Sequence, residues 1–108
     1  DAAFGMLGLE TALSAVRTAL PEMSWADVAR VMSQAPARIA GLPGHGGSLA
    51  VGEPAHVTLV DPSASVTVDR DDSVSLSRNN PWHARELRSR VVVTMFGGRV
   101  TVQDGSLA

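Results

Sequence analysis

The spacing of apolar residues indicates a helix near the start of the chain. Apolar side chains recur at intervals of four, three and four residues, at Leu9, Leu13, Val16 and Leu20. This periodicity places them on one face of a helix. We therefore predict an amphipathic helix over residues 9–20, and Pro21 lies where such a helix must end.

A second helix is predicted from its capping residues. Ser24 can cap its start, and Asp27 follows three residues later, as in a capping box. Met23 and Val28 occupy the two staple positions around that cap. The apolar stripe that follows Val28, at Val31 and Met32, predicts that this helix buries one face.

Proline and glycine predict where the second helix ends. Ala35 precedes Pro36 and is steered away from helical geometry, so we expect the helix to stop near Gln34. Pro36 suits the first position of a new short turn that runs through Ile39. Gly41 can end that turn in a left-handed conformation.

Beyond a connector over residues 41–47, which holds four glycines and one proline, the apolar period changes to two. Alternation over residues 56–60 predicts a strand that ends at Asp61-Pro62.

The Gly97-Gly98 pair between two apolar runs predicts a tight hairpin, because primed turns demand positive φ. The other predicted elements are a short strand at 65–68, a loop at 70–80, hairpin strands at 91–96 and 99–103, and a turn at 104–105.

The layout predicts two incomplete layers, since two or three helices are followed by a separate group of short strands. Aromatic residues make up only 4% of the chain, so the apolar content is mostly Ala, Val and Leu, which form thin cores. We expect each layer to complete a structure in polypeptide upstream. The start at Asp1 instead of Met agrees with the expectation that this is a piece of a larger protein.

Composition excludes several classes of partner and chemistry. The net charge is −2 without a stripe of arginines, which argues against nucleic acid or an anionic membrane as a partner. No apolar run approaches the roughly 18 residues of a membrane helix. The chain has no cysteine, which excludes disulfides, thiolate metal sites and cysteine nucleophiles. We expect a cytoplasmic protein.

The three histidines lie in no metal-binding spacing. His45 stands among glycines and is predicted to be solvated, and His56 is expected to face solvent or a sheet partner. His83 follows Pro81-Trp82 in a predicted loop and is expected at the surface. Because neither His-x-His nor His-Glu-x-x-His occurs, we predict no self-contained zinc site.

Acidic residues and hydroxyls also have structural explanations. Glu10 and Thr11 suit the start of the first helix, where a carboxylate is favoured and a hydroxyl can accept from free amides. The acidic cluster at residues 69–72 lacks the spaced glycine and distal glutamate of a calcium loop, so we predict a solvated turn. No serine lies in the Gly-x-Ser-x-Gly frame of a serine hydrolase.

The segment from Phe4 to Gly8 places glycines on either side of an apolar pair just before the first helix. Glycine lets the backbone approach a ligand or a neighbouring strand closely. By itself this pattern favours packing over ligand binding.

Three stretches of the chain resemble the amidohydrolase superfamily. Ala3–Leu13, AFGMLGLETAL, looks like the segment after the last metal-ligand motif in dihydroorotases of the long, bacterial type. Ala35–Leu42, APARIAGL, is similar to a helix–turn of the superfamily that usually begins with Asn. Gly47–Asp61 resembles the superfamily's entry into a small β-sandwich, with His56 where Asp is usual. Asn79–Trp82, NNPW, is a weaker echo of dihydroorotase.

The resemblance implies an α/β fold. Residues 1–42 would be the last helices of a metal-dependent (β/α)8 barrel, and residues 43–108 would be the C-terminal strands of a small composite β-sandwich.

The resemblance also implies an activity, the zinc-dependent, reversible hydrolysis of dihydroorotate to N-carbamoyl-aspartate in pyrimidine synthesis. The zinc ligands and the proton-transferring Asp are expected upstream of this chain, which would hold no catalytic or metal-binding residue. A homo-oligomer is also expected.

One functional feature transfers by position. Phe4 and Gly5 match the turn whose backbone contacts the dihydroorotate ring in that family, and Ala3 stands where proline is common. Two alternatives stay open, because the later motifs are shared across the superfamily. The first is another cyclic amidohydrolase, such as a dihydropyrimidinase or allantoinase. The second is a non-catalytic dihydroorotase homologue that serves as a structural partner.

Overall fold

The fold was obtained as a computed structural model, which describes residues 4–108, so the substitution noted at Ala3 lies outside the described residues. The elements, in chain order, are helices α1 (Ala12–Ala19), α2 (Trp25–Ala29), a π-helical turn (Arg30–Gln34) and α3 (Ala35–Ile39), strand β1 (Val57–Thr67), a 3-10 turn (Arg70–Asp72), and strands β2 (Glu86–Phe96), β3 (Arg99–Gln103) and β4 (Ser106–Leu107). Within residues 4–108, no helix is long and apolar enough to cross a bilayer.

The first predicted helix exists but is shorter than residues 9–20. Helix α1 begins at Ala12, and Leu9 lies before it with 94% of its surface exposed. Thr11 occupies the capping position in a helical conformation, and no side-chain cap hydrogen bond forms there. Its hydroxyl donates to the Gly8 carbonyl at 3.4 Å, so the predicted capping role of Thr11 is wrong.

Ser24 caps the second helix as predicted. Its hydroxyl accepts from the Asp27 amide at 3.1 Å and donates to the Asp27 carboxylate at 2.8 Å. The Arg30 guanidinium lies 2.9 Å from the same carboxylate. The Arg30 hydrogen bond and then the Ser24 hydroxyl hold the pKa of Asp27 below its ordinary value of 3.8. A lowered pKa means that this stabilisation is present above about pH 4 and is lost as pH falls through the folded-state pKa.

Replacing Ser24 by alanine is expected to lower the free energy of unfolding by about 1 kcal/mol, because the Asp27 amide loses its acceptor. Thermal unfolding of the protein at neutral pH measures this effect. Ser48→Ala is the control, since Ser48 lies outside the helices and strands. Equal melting temperatures for the two variants would refute the capping role.

The predicted helix stop near Gln34 is wrong. Gln34 and Ala35 are both helical, and the helix continues from Trp25 to Ile39 through the π-helical turn. The wider π turn replaces the usual bonding pattern, with the Ala35 amide donating to the Arg30 carbonyl. Proline lacks an amide and crowds the preceding turn, so widening that turn is a physical way to keep Pro36 in the helix.

The end of this helix agrees with the prediction at Gly41. Gly41 has φ +64°, and its amide donates to the Arg38 carbonyl at 3.2 Å. The Leu42 amide donates to the Ala37 carbonyl at 3.0 Å. These two bonds form a Schellman motif, for which a left-handed glycine is the favoured residue.

The strands form one four-stranded sheet in the order β1-β2-β3-β4. The predicted strand end at Asp61-Pro62 is wrong, because β1 runs without a break from Val57 to Thr67 and joins two predicted strands. β1 is one of the two edge strands of this sheet. Proline is tolerated on an edge strand, where a missing amide need not cost a ladder hydrogen bond.

The two tight turns are confirmed. Gly97 and Gly98 have φ of +56° and +80° between β2 and β3, which pair antiparallel with a shift after Thr94. Asp104 and Gly105 also have positive φ, at +52° and +84°, between β3 and β4. Strand β2 begins at Glu86, five residues before the predicted start, because the charged residues that alternate with Leu87 and Ser89 do not form an apolar run.

The chain divides into two compact units, each with its own small core. Unit 1 comprises residues 1–21 and 62–90, and its buried apolar side chains among the described residues are Val68 and Leu87. Unit 2 comprises residues 22–61 and 91–108, with Val28 and Ala37 buried among those described. The boundary predicted after residue 42 concerns parts of a larger protein and stays a prediction.

Candidate functional site

Phe4 and Gly5, the predicted substrate-binding residues, lie in unit 1 on an exposed turn. The Phe4 side chain is fully exposed. Gly5 has φ +67°, and no heavy atom lies within 4 Å of where its Cβ would be. Left-handed backbone is readily adopted by glycine and strained for other residues. The turn therefore presents backbone and an aromatic ring to the outside of unit 1.

Asn79 holds this turn through two hydrogen bonds. Its side-chain Nδ2 donates to the Gly5 carbonyl, and its backbone carbonyl accepts from the Leu7 amide at 2.9 Å. Asn79 is half-buried and stands 74 residues after Gly5 in the sequence. The weak echo of dihydroorotase at residues 79–82 thus lies beside the strongest one.

A second contact fixes the other end of the same segment. The Glu10 carboxylate accepts from the Ser73 hydroxyl at 2.7 Å and from the amides of Val74 and Ser75, each at 3.4 Å. Glu10 lies outside helix α1, so its predicted role at the helix start is wrong. The carboxylate instead binds a loop that follows the 3-10 turn.

Two histidines come together in unit 2. The rings of His45 and His56 stack with centroids 4.1 Å apart, and the Phe96 ring lies 4.7 Å from His56. His56 Nδ1 accepts from the Gly97 amide at 3.2 Å, at the turn of the β2–β3 hairpin. The prediction that His45 is solvated among glycines is wrong, because it is half-buried against His56.

The acidic cluster forms a turn as predicted. Asp69 accepts from the Asp71 amide at 3.0 Å and so caps the 3-10 turn. His83 Nδ1 accepts from the Arg70 amide at 3.2 Å and lies 3.7 Å from the Asp69 carboxylate. These contacts tie the turn to the loop before β2.

No metal centre is formed by the part of the chain that the structure describes. Within residues 4–108, no three side chains among His, Asp and Glu come close enough to hold a metal ion. The His45 and His56 rings stack on each other, and His56 Nδ1 already accepts from the Gly97 amide. This stretch therefore does not offer the donor set that a zinc ion needs.

Unit 2 also contains an open groove of about 650 Å³ that the sequence did not predict. It lies between the helix ending at Ile39 and the strands, and the His45–His56 pair contributes to its wall. Met32, Met95 and Phe96 make much of its lining apolar. The sequence indicates only that the apolar period changes from that of a helix to that of a strand, which predicts two layers but not a groove between them.

Sequence reasoning also missed Asn79 as a partner of the turn. Its signal was the NNPW motif, which favoured the family without naming a contact. Pairing residues 74 positions apart requires the path of β1 and of the loop that follows it.

Comparison with known proteins identifies the family. The model of the amidohydrolase family matches residues 2–101, which is nearly the whole chain. The chain belongs to the amidohydrolase family. It is 52% identical over 102 residues to a dihydroorotase of Mycobacterium leprae and 48% identical over 106 residues to one of Mycobacterium tuberculosis. These alignments cover 92% and 95% of this amidohydrolase chain.

The chain spans about a quarter of the length of these relatives, with 24% and 25% covered. Solved structures agree on the fold. A D-hydantoinase (dihydropyrimidinase) from a Thermus species superposes with a TM-score of 0.79 at 24% sequence identity, covering 96% of this amidohydrolase chain and 23% of that protein. A dihydropyrimidinase from Brevibacillus agri gives 0.77 at 19% identity over 88% of the chain and 21% of that protein. These likenesses show the fold alone.

Proposed function

We propose that this amidohydrolase chain is the C-terminal part of a dihydroorotase, which hydrolyses dihydroorotate reversibly to N-carbamoyl-aspartate in pyrimidine synthesis. The observation that carries the proposal is the 52% identity to a protein of that name over 92% of the chain. The Phe4–Gly5 turn supports it from the structure, because it is an exposed segment held in a defined backbone conformation.

The fold proposal follows from the same comparison. Residues 1–42 would be the last helices of a (β/α)8 barrel, and residues 43–108 would be strands of a composite β-sandwich. Large exposed apolar side chains support a contact with further polypeptide, including Leu20, Leu49 and Val51. We propose that the N-terminal remainder of the same enzyme covers them, and that the enzyme is a cytoplasmic homo-oligomer.

Zinc is proposed as the cofactor of the complete enzyme. Because residues 4–108 do not offer a donor set for it, we place its ligands in the sequence upstream, as the family resemblance implies. The part of this chain in the reaction would be to bind the substrate. The backbone at Phe4 and Gly5 would contact the dihydroorotate ring, and a backbone contact depends on the conformation of the turn more than on its side chains.

The proposal is tested on the complete protein, which carries this chain together with its own upstream sequence. The rates at which it hydrolyses four cyclic amides are compared. The substrates are dihydroorotate, dihydrouracil, hydantoin and allantoin. We expect kcat/KM for dihydroorotate to exceed the other three by at least about 100-fold, because a site built for polar groups rejects analogues that lack them. This chain alone is expected to be inactive.

Each of the other outcomes would indicate a different function for the protein. Preference for dihydrouracil, hydantoin or allantoin would replace the proposal with another cyclic amidohydrolase, in line with the hydantoinase-like fold. A folded protein that is inactive on all four substrates, and whose upstream sequence lacks the metal-binding histidines, would be a non-catalytic homologue.

A further inference from the structure

The segment that carries the proposed substrate turn is attached at both ends to one loop. We call residues 73–79 the anchoring loop; it lies between the 3-10 turn and strand β2, in unit 1. Asn79 binds the segment at Gly5 and Leu7, and Ser73 and Ser75 bind it at Glu10. The anchoring loop therefore runs alongside the turn from end to end.

The two bonds of Asn79 fix two successive peptide planes. The side-chain amide holds the Gly5 carbonyl, which belongs to the Gly5–Met6 peptide. The backbone carbonyl of Asn79 holds the Leu7 amide, which belongs to the Met6–Leu7 peptide. A trans peptide is planar and points its carbonyl and amide in opposite directions. Holding the Gly5 carbonyl toward Asn79 thus directs the Met6 amide away from it.

Packing contributes little to the shape of this turn. Phe4 is fully exposed, Met6 is 74% exposed, and Gly5 has open space where a side chain would be. Glycine also has more conformational freedom than any other residue, so its backbone needs an external constraint to hold one conformation. The Asn79 side chain supplies that constraint at the Gly5 carbonyl.

We propose that Asn79 is a positioning residue for substrate binding, which acts by holding the Gly5–Met6 peptide in the orientation that meets the cyclic amide. This inference rests on the proposed function, since it assumes that the Phe4–Gly5 turn contacts the substrate. In this role Asn79 acts through its bonds to Gly5 and Leu7 and not through a contact with the substrate or the reacting atoms. It sets the backbone direction, whereas the turn makes the contact.

The experiment compares Asn79→Ala with Asn80→Ala in the complete enzyme. Asn80 is the matched control because it is a half-buried amide in the next position, and its side chain accepts from the Trp82 amide instead of holding the turn. We expect Asn79→Ala to raise KM for dihydroorotate roughly 5- to 20-fold with kcat within about twofold, since a lost hydrogen bond loosens the turn. Asn80→Ala is expected to leave KM unchanged.

A double-mutant cycle separates positioning from general stability. Gly5→Ala disturbs the same peptide directly, because alanine is strained at φ +67°. If Asn79 acts through Gly5, the double variant should raise KM no more than the worse single variant, whereas independent effects would multiply. Amide hydrogen exchange at Leu7, whose amide donates to the Asn79 carbonyl, should also be faster in Asn79→Ala than in Asn80→Ala.

The outcomes distinguish the two proposals. An active enzyme in which Asn79→Ala and Asn80→Ala have equal KM overturns the positioning role and leaves the proposed function standing. Fully multiplicative effects of Asn79→Ala and Gly5→Ala, or a loss confined to melting temperature and kcat, overturn it as well. A wild-type enzyme that leaves dihydroorotate intact overturns the proposed function, and the positioning role with it.

Discussion

Gly46→Ala is expected to destabilise the protein by about 2–5 kcal/mol, one of the two largest effects we predict for a single substitution. A Cβ at this position would lie 2.8 Å from the Ser33 carbonyl oxygen, 2.9 Å from Gln34 Cα and 3.0 Å from Ala37 Cβ. Two of these atoms belong to the backbone of the helix that starts at Trp25, so they cannot turn aside as a flexible side chain would. Gly46 also has φ +62°, where alanine is strained.

Thermal unfolding of the complete protein measures this effect, with Gly47→Ala as the control. Gly47 is the adjacent residue, its φ lies outside the left-handed region, and no atom lies within 4 Å of its Cβ position. We expect Gly47→Ala to change the free energy of unfolding by less than about 0.5 kcal/mol. If the two alanines were equally tolerated, the close approach of the 41–47 connector to the helix would be wrong.

The connector shows what the sequence predicts well. The left-handed Gly41 and the turns at Gly97-Gly98 and Asp104-Gly105 all follow from local chemistry, because glycine adopts positive φ without strain and aspartate tolerates it. The Ser24 cap follows in the same way, from a hydroxyl and a carboxylate three residues apart. Each of these features depends on residues that are neighbours in the chain, so the sequence contains all the information they need.

Two of the six prolines show where predictions from neighbouring residues fail. Pro36 predicted a helix stop and Pro62 a strand end, yet the helix and strand both continue. The cost of a proline depends on what the preceding turn and the neighbouring strand do. A π-helical turn precedes Pro36, and Pro62 lies on an edge strand of the sheet. Neither fact is visible in a window of adjacent residues.

In the candidate site, too, features formed by neighbouring residues are predictable from the sequence, and contacts between distant residues are not. Resemblance predicts the Phe4–Gly5 turn as the substrate contact, since a motif is a property of contiguous residues. The partner at Asn79 stayed unrecognised because 74 residues and the whole of β1 separate it from Gly5. The stacking of His45 on His56 was missed for a similar reason, because glycines around His45 predict solvent exposure when no second layer is considered.

Leu87→Ala is expected to destabilise the protein by about 2–5 kcal/mol, the range for removing a buried leucine side chain. Leu87 is 2% exposed and lies near the start of strand β2. With Val68 it accounts for the buried apolar side chains of unit 1 among the described residues. Such a small core has few neighbouring side chains that could move into the space left by a leucine. We therefore expect a loss of unfolding free energy toward the upper end of this range.

Urea unfolding of the complete protein tests this, with Leu76→Ala as the matched control. Leu76 is the same residue type in the same unit, and it is 98% exposed in this chain. If Leu76 is solvated in the complete enzyme, Leu76→Ala lowers the free energy of unfolding by less than about 0.5 kcal/mol. Only Leu87→Ala is then strongly destabilising. If Leu76→Ala costs as much as Leu87→Ala, Leu76 must be buried by polypeptide outside this chain, and unit 1 shares a core with the rest of the enzyme. A small loss for Leu87→Ala would instead contradict the core described here.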